Sequence, residues 1–224
     1  MNLRRISQCL FAAAALGCAL PAFATGSGFY WGLMLGPSNN TASNQQAQVS
    51  GTPTNPPTTV LVKPKQQQFG SRIFLGYMPS VYGGMEFGMT YFSSVKYTPS
   101  GNTTLCGSSN ATVRDVEFLA KAAYPFKQQL SQFGVFGKAG AAFAYQNNGG
   151  ALSPTSSSTC GQETHLSKWA PAFSVGVNYD ITQNWVTELA MHRVNVGGKL
   201  GSMTMYGLGI SYHFVDQYCG QFLC

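Results

Sequence analysis

The sequence predicts an all-β fold, an eight-stranded antiparallel up-and-down β-barrel that spans a membrane. Apolar residues alternate with small or polar residues in eight segments, long and short connections follow one another in turn, and aromatic residues collect near the segment ends. The composition agrees, because 9% of the 224 residues are charged, 13% are aromatic and 26 are Gly. A soluble domain usually has about 25% charged residues.

The N-terminal segment has the three-part pattern of a secretory signal peptide. The basic pair Arg4-Arg5 precedes an apolar run, Leu10–Leu20, and Ala22-Phe23-Ala24 follows it. This pattern predicts cleavage before Thr25. The apolar run is shorter than the roughly 20 residues that a membrane-spanning helix needs. Lipidation at Cys18, which Ala-Leu-Gly precedes, is the alternative.

The alternating segments predict the barrel strands, each near the 9–11 residues, roughly, that a tilted strand needs to cross a bilayer. In the third segment Met85, Phe87 and Met89 share one face, and Glu86 lies on the other. Either a soluble sandwich or a membrane barrel has such faces; in the barrel the apolar face meets lipid and the polar face lines the lumen. The predicted strands are 28–36, 69–78, 82–92, 113–124, 133–144, 169–179, 185–194 and 203–214.

The lengths of the connections favour a membrane barrel over a soluble sandwich. Long connections at 37–68, 93–112 and 145–168 alternate with short turns. This sorting is typical of an outer-membrane barrel, with both chain ends and the short turns in the periplasm and the long loops outside. Residues 38–68 contain no acid and are rich in Gln, Asn, Thr and Pro, so we expect that loop to be mobile.

Aromatic residues predict two girdles where the barrel would meet the membrane surfaces. The predicted inner girdle comprises Phe29, Tyr30, Tyr77, Tyr82, Tyr124, Phe126, Phe133, Tyr179, Trp185, Tyr212 and Phe214. The outer girdle comprises Tyr91, Phe92, Phe143, Tyr145, Trp169 and Tyr206.

Three segments, Met85–Tyr91, Phe118–Phe126 and Phe136–Ala142, resemble the OmpA-like and opacity family of small outer-membrane barrels. The end of the last strand resembles the family's terminal assembly signal, with Tyr206, Gly207, Tyr212 and Phe214. The resemblance implies the cell outer membrane as the location and the outer-membrane assembly machinery as a partner. The predicted domains are a signal peptide at 1–24, the barrel at 25–214 and a periplasmic tail at 215–224, too short for the peptidoglycan-binding domain of longer relatives.

Six charged residues occupy strand positions whose side chains are predicted to point into the lumen: Arg72, Glu86, Glu117, Lys121, Lys138 and Glu188. Buried ions are expected to be paired, because an unpaired one is strongly penalised. We expect Arg72 to pair with Glu86, Lys138 with Glu117 and Lys121 with Glu188. Such pairs would close the lumen; an acid–base pair or a gated ion path is the alternative.

The sequence offers little for catalysis, so we expect no enzyme, no cofactor and no metal site. His192 and His213 have inward parity, and His165, beside Ser167, is the only outside histidine. No motif of a membrane deacylase or acyltransferase surrounds it.

Basic residues collect in the long loops and at the upper rim: Lys63, Lys65, Lys96, Arg114, Lys168, Arg193 and Lys199, with Asp115 and Glu163 among them. Contact with the phosphates of lipopolysaccharide is one interpretation, and adhesion to an anionic host-cell molecule is another. Nucleic acid is not an expected partner, and the barrel is expected to be a monomer.

Four cysteines remain after the signal peptide, and an even number in an exported chain favours disulfides. Cys106 and Cys160 belong to two long outer loops, whereas Cys219 and Cys224 follow the last strand. The bilayer would separate the two sets, so the one complete intramolecular pairing joins Cys106 with Cys160 and Cys219 with Cys224. Cys219 and Cys224 are close in sequence, so reduced cysteines or a bond to another molecule are the alternatives for the tail.

Together these features predict a structural and interfacial barrel at the cell surface. An adhesin or surface antigen, a narrow small-solute channel and an enzyme acting on envelope lipid remain the alternatives.

Overall fold

The computed structural model describes residues 27–42, 45–49, 58–99, 109–126, 132–149, 165–197 and 201–215. Within these ranges the chain forms ten strands, and it forms no helix that could cross a membrane. The strands are β1 (Gly28–Asn40), β2 (Gln45–Val49), β3 (Thr58–Pro64), β4 (Gln67–Ser80), β5 (Gly83–Pro99), β6 (Ser109–Pro125), β7 (Phe133–Gly149), β8 (His165–Asp180), β9 (Trp185–Val194) and β10 (Met203–Val215).

Eight of these strands close into an antiparallel barrel, which confirms the predicted fold. The order around the barrel is β1, β4, β5, β6, β7, β8, β9 and β10, and β10 pairs with β1. The start of β1 and the end of β10 pair directly, Gly28 opposite Val215. They lie at the end that carries the turns between β4 and β5, β6 and β7, and β8 and β9, which we call the short-turn end. The opposite end is the long-loop end.

The first long connection differs from the prediction. Instead of an irregular segment, residues 45–64 contain the hairpin β2–β3, with Gln45 opposite Val62 and Val49 opposite Thr58. β3 also pairs with β5 beyond the last β4–β5 pair, from Val62 opposite Pro99 to Pro64 opposite Tyr97. The alternation in β2 is confined to residues 46–49, and β3 has Val60, Leu61 and Val62 in succession, so periodicity did not predict the hairpin.

The barrel strands continue past the predicted limits at the long-loop end. The predicted strand 82–92 is β5, which ends at Pro99, and the predicted strand 113–124 is β6, which begins at Ser109. Backbone pairing extends beyond the segment that alternates between lipid and lumen, because ladder hydrogen bonds need no apolar face.

Burial alternates along each barrel strand, as a lipid-facing wall around a side-chain-filled lumen requires. In β1, Trp31 and Leu33 are exposed whereas Tyr30 and Met34 are buried. Tyr30 and Phe92 therefore do not belong to the girdles in which we expected them, since both point into the barrel.

Candidate functional site

Arg72 on β4 holds two carboxylates inside the barrel. Its Nη2 lies 2.7 Å from Glu86 Oε1 on β5, and its Nε donates to Glu117 Oε1 on β6. All three side chains are buried, and the guanidinium lies 5.0 Å from the centre of the Phe74 ring. A planar fork that donates to two carboxylates while stacking on a ring is a contact that Lys could not reproduce.

Two lysines complete the cluster nearer the short-turn end. Lys138 Nζ on β7 lies 2.8 Å from Glu86 Oε2 and 3.2 Å from Glu188 Oε2 on β9. Lys121 Nζ on β6 lies 3.3 Å from Glu188 Oε1. Three cations and three carboxylates thus form one connected set across β4, β5, β6, β7 and β9. We call these six residues the lumen cluster.

The expected pairing of Lys138 with Glu117 is wrong. Lys138 lies opposite Lys121 in the β6–β7 register, whereas Glu117 lies opposite Ala142, four residues further along β7. The carboxylates that Lys138 reaches are those of Glu86 and Glu188, so its ammonium is already held by two other partners. Glu117 instead has Arg72 and His192, whose Nε2 lies 3.2 Å from Glu117 Oε2.

The charge pattern of the sequence does not identify the aromatic residues that contact the lumen cluster. The Tyr30 hydroxyl donates to Glu86 Oε2 at 2.7 Å, so Glu86 accepts from three different side chains. The Lys138 ammonium lies 4.6 Å from the centre of the Phe136 ring. The alternation of each strand can place Tyr30 and Phe136 on the inner face. Only the fold shows that their rings lie beside the charged groups.

The lumen has different contents above and below the cluster. Toward the long-loop end, the polar side chains of Ser38, Asn40 and Gln146 are buried together with six apolar side chains: Phe92, Val95, Val113, Val194, Met203 and Met205. We call these six residues the apolar layer. Toward the short-turn end, a cavity of about 20 Å³ is lined by Met78, Lys121, Glu188 and His213, among others. Such a volume holds about one water molecule.

The two histidines whose side chains the structure describes do not lie at the barrel exterior. His192 and His213 are both buried in the lumen, and His213 stacks on Tyr30 with ring centroids 4.8 Å apart. His165 begins β8 opposite Asn147, and its side chain is outside the described residues. In the described part of the chain, no three His, Cys, Asp or Glu residues converge as metal ligands.

Cations lie at the exposed long-loop end. Lys65, Lys96, Arg114 and Lys168 are exposed, and Arg193 is half-buried and donates to Ser202 Oγ at 2.9 Å. Lys63 lies in β3 but its side chain is outside the described part, and Lys199 and Glu163 are outside it altogether. The five acids that the structure describes are all buried: Glu86, Asp115, Glu117, Asp180 and Glu188. Asp115 is therefore a lumen residue and does not offset the rim cations as we expected.

β10 carries the residues assigned to the assembly signal. Tyr206 and Phe214 are exposed on the outer wall, Tyr212 is half-buried beside Trp185, and Gly207 faces Met34. All four lie in the strand that pairs with β1 to close the barrel. Cys106, Cys160, Cys219 and Cys224, like the signal peptide and most of the tail, lie outside the described ranges.

Comparison with known proteins gives a family for this barrel. The family model of the OmpA-like transmembrane domain matches residues 25–218. Outer membrane protein A of Serratia marcescens is 30% identical over 159 residues, which cover 66% of this chain and 40% of that protein. Outer membrane protein A of Klebsiella pneumoniae is 27% identical over 156 residues, or 67% of this chain and 42% of that one. The match thus spans about two fifths of the length of these relatives.

Two solved structures share the fold at low identity. Neisserial surface protein A has a TM-score of 0.54 at 13% identity, with 84% of this chain and 98% of that chain covered. OprG from Pseudomonas aeruginosa has a TM-score of 0.53 at 11% identity, with 85% and 99% covered. With its closed eight-stranded wall and its family match, the chain belongs to the OmpA-like transmembrane domain family and is a β-barrel of the bacterial outer membrane.

Proposed function

We propose that this protein is a structural outer-membrane barrel with a closed lumen, whose long-loop end faces outward and contacts anionic molecules at the cell surface. The observation that supports the closed lumen is the lumen cluster, together with the apolar layer above it. An ion passing through would have to separate paired charges and then displace the buried side chains that fill the lumen above them, and both steps are costly. We propose no catalytic role, and we propose that the barrel works as a monomer once the assembly machinery has inserted it.

Planar-bilayer recordings test the closed lumen. The purified wild-type barrel is expected to give no unitary current steps above those of a protein-free bilayer. Heat-modified gel mobility of the same preparation shows that the barrel is folded. Reproducible steps from folded protein would contradict the closed lumen and favour the small-solute channel.

The cationic long-loop end supports the second part of the proposal. Lys65, Lys96 and Lys168 are exposed there, while every described acid is buried. Phosphates of lipopolysaccharide are the nearest abundant anions, and clustered Lys and Arg bind phosphate through charge-assisted hydrogen bonds. The same surface suits adhesion to an anionic host-cell molecule, which is the second candidate function.

A triple variant, K65Q/K96Q/K168Q, distinguishes these partners. If the lysines bind lipopolysaccharide, cells with the variant should become more sensitive to detergent while host-cell attachment is unchanged. If they form an adhesin, attachment should fall and detergent sensitivity should stay at the wild-type level. Loss of neither property would contradict a role for these cations at the surface.

A further inference from the structure

The outer wall carries a groove where β4, β5, β6 and β7 lie side by side near the long-loop end. Its volume is about 540 Å³, within the range of about 300–1,000 Å³ typical of sites for small ligands. Outward-facing residues from all four strands line it together with the inward-facing Thr90 and Asp115, and the half-buried Ser71 is a small side chain among larger neighbours.

The strand register arranges the groove in two rows. Ser71, Tyr91, Arg114 and Tyr145 are successive cross-strand partners on β4, β5, β6 and β7. One step toward the middle of the wall, Ile73, Met89, Val116 and Phe143 form the next row in the same way. A polar row with one cation thus lies directly above a row that is entirely apolar, and this order matches the head group and chain of an amphiphile.

Arg114 is held at the centre of the polar row. Its guanidinium carbon lies 5.2 Å from the centre of the Tyr91 ring, and Tyr145 is its partner on the other side. Stacking uses the face of the guanidinium and leaves its in-plane N–H groups free to donate. No described carboxylate pairs with Arg114, since all five are buried and the adjacent Asp115 points into the lumen.

The level of the groove agrees with a lipid head group. Tyr91 and Tyr145 belong to the aromatic girdle at the long-loop end, and both are exposed. Aromatic girdles mark the depth at which the hydrocarbon meets the polar head groups. An arginine at that depth lies where lipid phosphates are, and a guanidinium binds phosphate through paired N–H donors.

We propose that this groove is a binding site for lipid A, with a lipid A phosphate on Arg114 and one acyl chain along Ile73, Met89 and Val116. The site rests on the orientation proposed above, which places the long-loop end in the outer leaflet. It differs from the loop contacts proposed there, because it lies on the barrel wall and uses an apolar row that the loop lysines lack.

Native mass spectrometry of the barrel in phosphatidylcholine nanodiscs, titrated with lipid A, tests the site. R114Q is expected to lower lipid A affinity about tenfold, the effect of losing a charge-assisted pair of hydrogen bonds. K127Q removes a cation from the connection between β6 and β7, at the opposite end of the barrel, and is expected to leave the affinity within a factor of about two. Both leaflets of a nanodisc are accessible, so the outcome is independent of orientation and of conductance.

A second pair of variants tests the recess itself. S71L fills the groove and should weaken lipid A binding, whereas A139L adds the same bulk to an outward position away from the groove and should not. Lipid A stripped of its phosphates should bind wild type and R114Q equally. Equal retention of intact lipid A by wild type, R114Q and S71L, with each variant folded by gel mobility, would overturn the proposal. Weakening by S71L alone would reduce the groove to an acyl-chain contact and would overturn the phosphate site.

Discussion

The Glu86 carboxylate accepts hydrogen bonds from three buried side chains, those of Arg72, Lys138 and Tyr30. Glu86→Ala should destabilise the barrel by about 3–5 kcal/mol, since it leaves two buried cations without this partner. Urea unfolding in lipid vesicles measures the change. Met85→Ala, at the neighbouring lipid-facing position, is the matched control and should cost much less. Equal unfolding midpoints for the two variants would show that the buried ions do not need Glu86.

Gly88 makes room for the contact between Arg72 and Glu117. A Cβ added at Gly88 would lie 2.7 Å from Glu117 Oε1 and 2.8 Å from Arg72 Nη2, so Gly88→Ala must displace the pair. We expect a loss of about 1–3 kcal/mol, the usual cost of overpacking.

Gly137 provides the control for that substitution. A Cβ at Gly137 would meet nothing within 4 Å, so Gly137→Ala should leave the free energy of unfolding nearly unchanged. The same urea titration compares the two alanines. A Gly88→Ala barrel as stable as the Gly137→Ala barrel would mean that the lumen adjusts without cost.

Alternation predicted which charges enter the lumen, and the expected contacts of Arg72 with Glu86 and of Lys121 with Glu188 are present, but the expected partner of Lys138 is wrong. Side chains alternate between the two faces of a strand, so the pattern of one strand alone places Lys138 on the inner face. The partner depends on the register between strands, and that is a property of the whole tilted barrel. This is why the carboxylates that hold Lys138 are Glu86 and Glu188 instead of the predicted Glu117.

The β2–β3 hairpin is an addition to the barrel wall rather than a part of it. Its ends are close together, since the Asn40 backbone N–H donates to the Gln66 carbonyl oxygen at 3.0 Å and the Asn40 side chain donates to the Lys65 carbonyl oxygen at the same distance. Replacing residues 43–64 with a short Gly-Ser linker should therefore leave the barrel's resistance to heat in gel-mobility assays unchanged. A barrel that unfolds more readily after the replacement would show that β3 supports β5.

Sequence periodicity found the eight barrel strands and missed this hairpin for one physical reason. A strand between lipid and lumen must alternate, so β5 and β6 leave a pattern in the sequence. A hairpin above the membrane has no lipid face and is held by backbone hydrogen bonds, so β2 leaves only the short alternation at residues 46–49.

The closed topology also restricts the cysteines. Cys106 belongs to the connection between β5 and β6 and Cys160 to that between β7 and β8, both joining strands at the long-loop end, whereas Cys219 and Cys224 follow β10. Non-reducing peptide mapping should therefore yield Cys106 linked to Cys160 and Cys219 linked to Cys224. The first bond would close about 54 residues, for which chain entropy gives roughly 4 kcal/mol. A Cys106–Cys219 peptide would contradict both the pairing and the assigned sides of the membrane.

The lumen cluster has a consequence for how the chain enters the bilayer. Its members come from five strands, and within the lumen cluster only the β4–β5 hairpin contains an ion pair of its own, Arg72 with Glu86. A lone β6–β7 hairpin would carry Lys121 and Lys138 side by side into hydrocarbon, at a cost of several kcal/mol. Insertion one hairpin at a time is thereby disfavoured against concerted entry of all eight strands. The charges that pair in the finished barrel therefore raise the free energy of insertion intermediates in which they are unpaired.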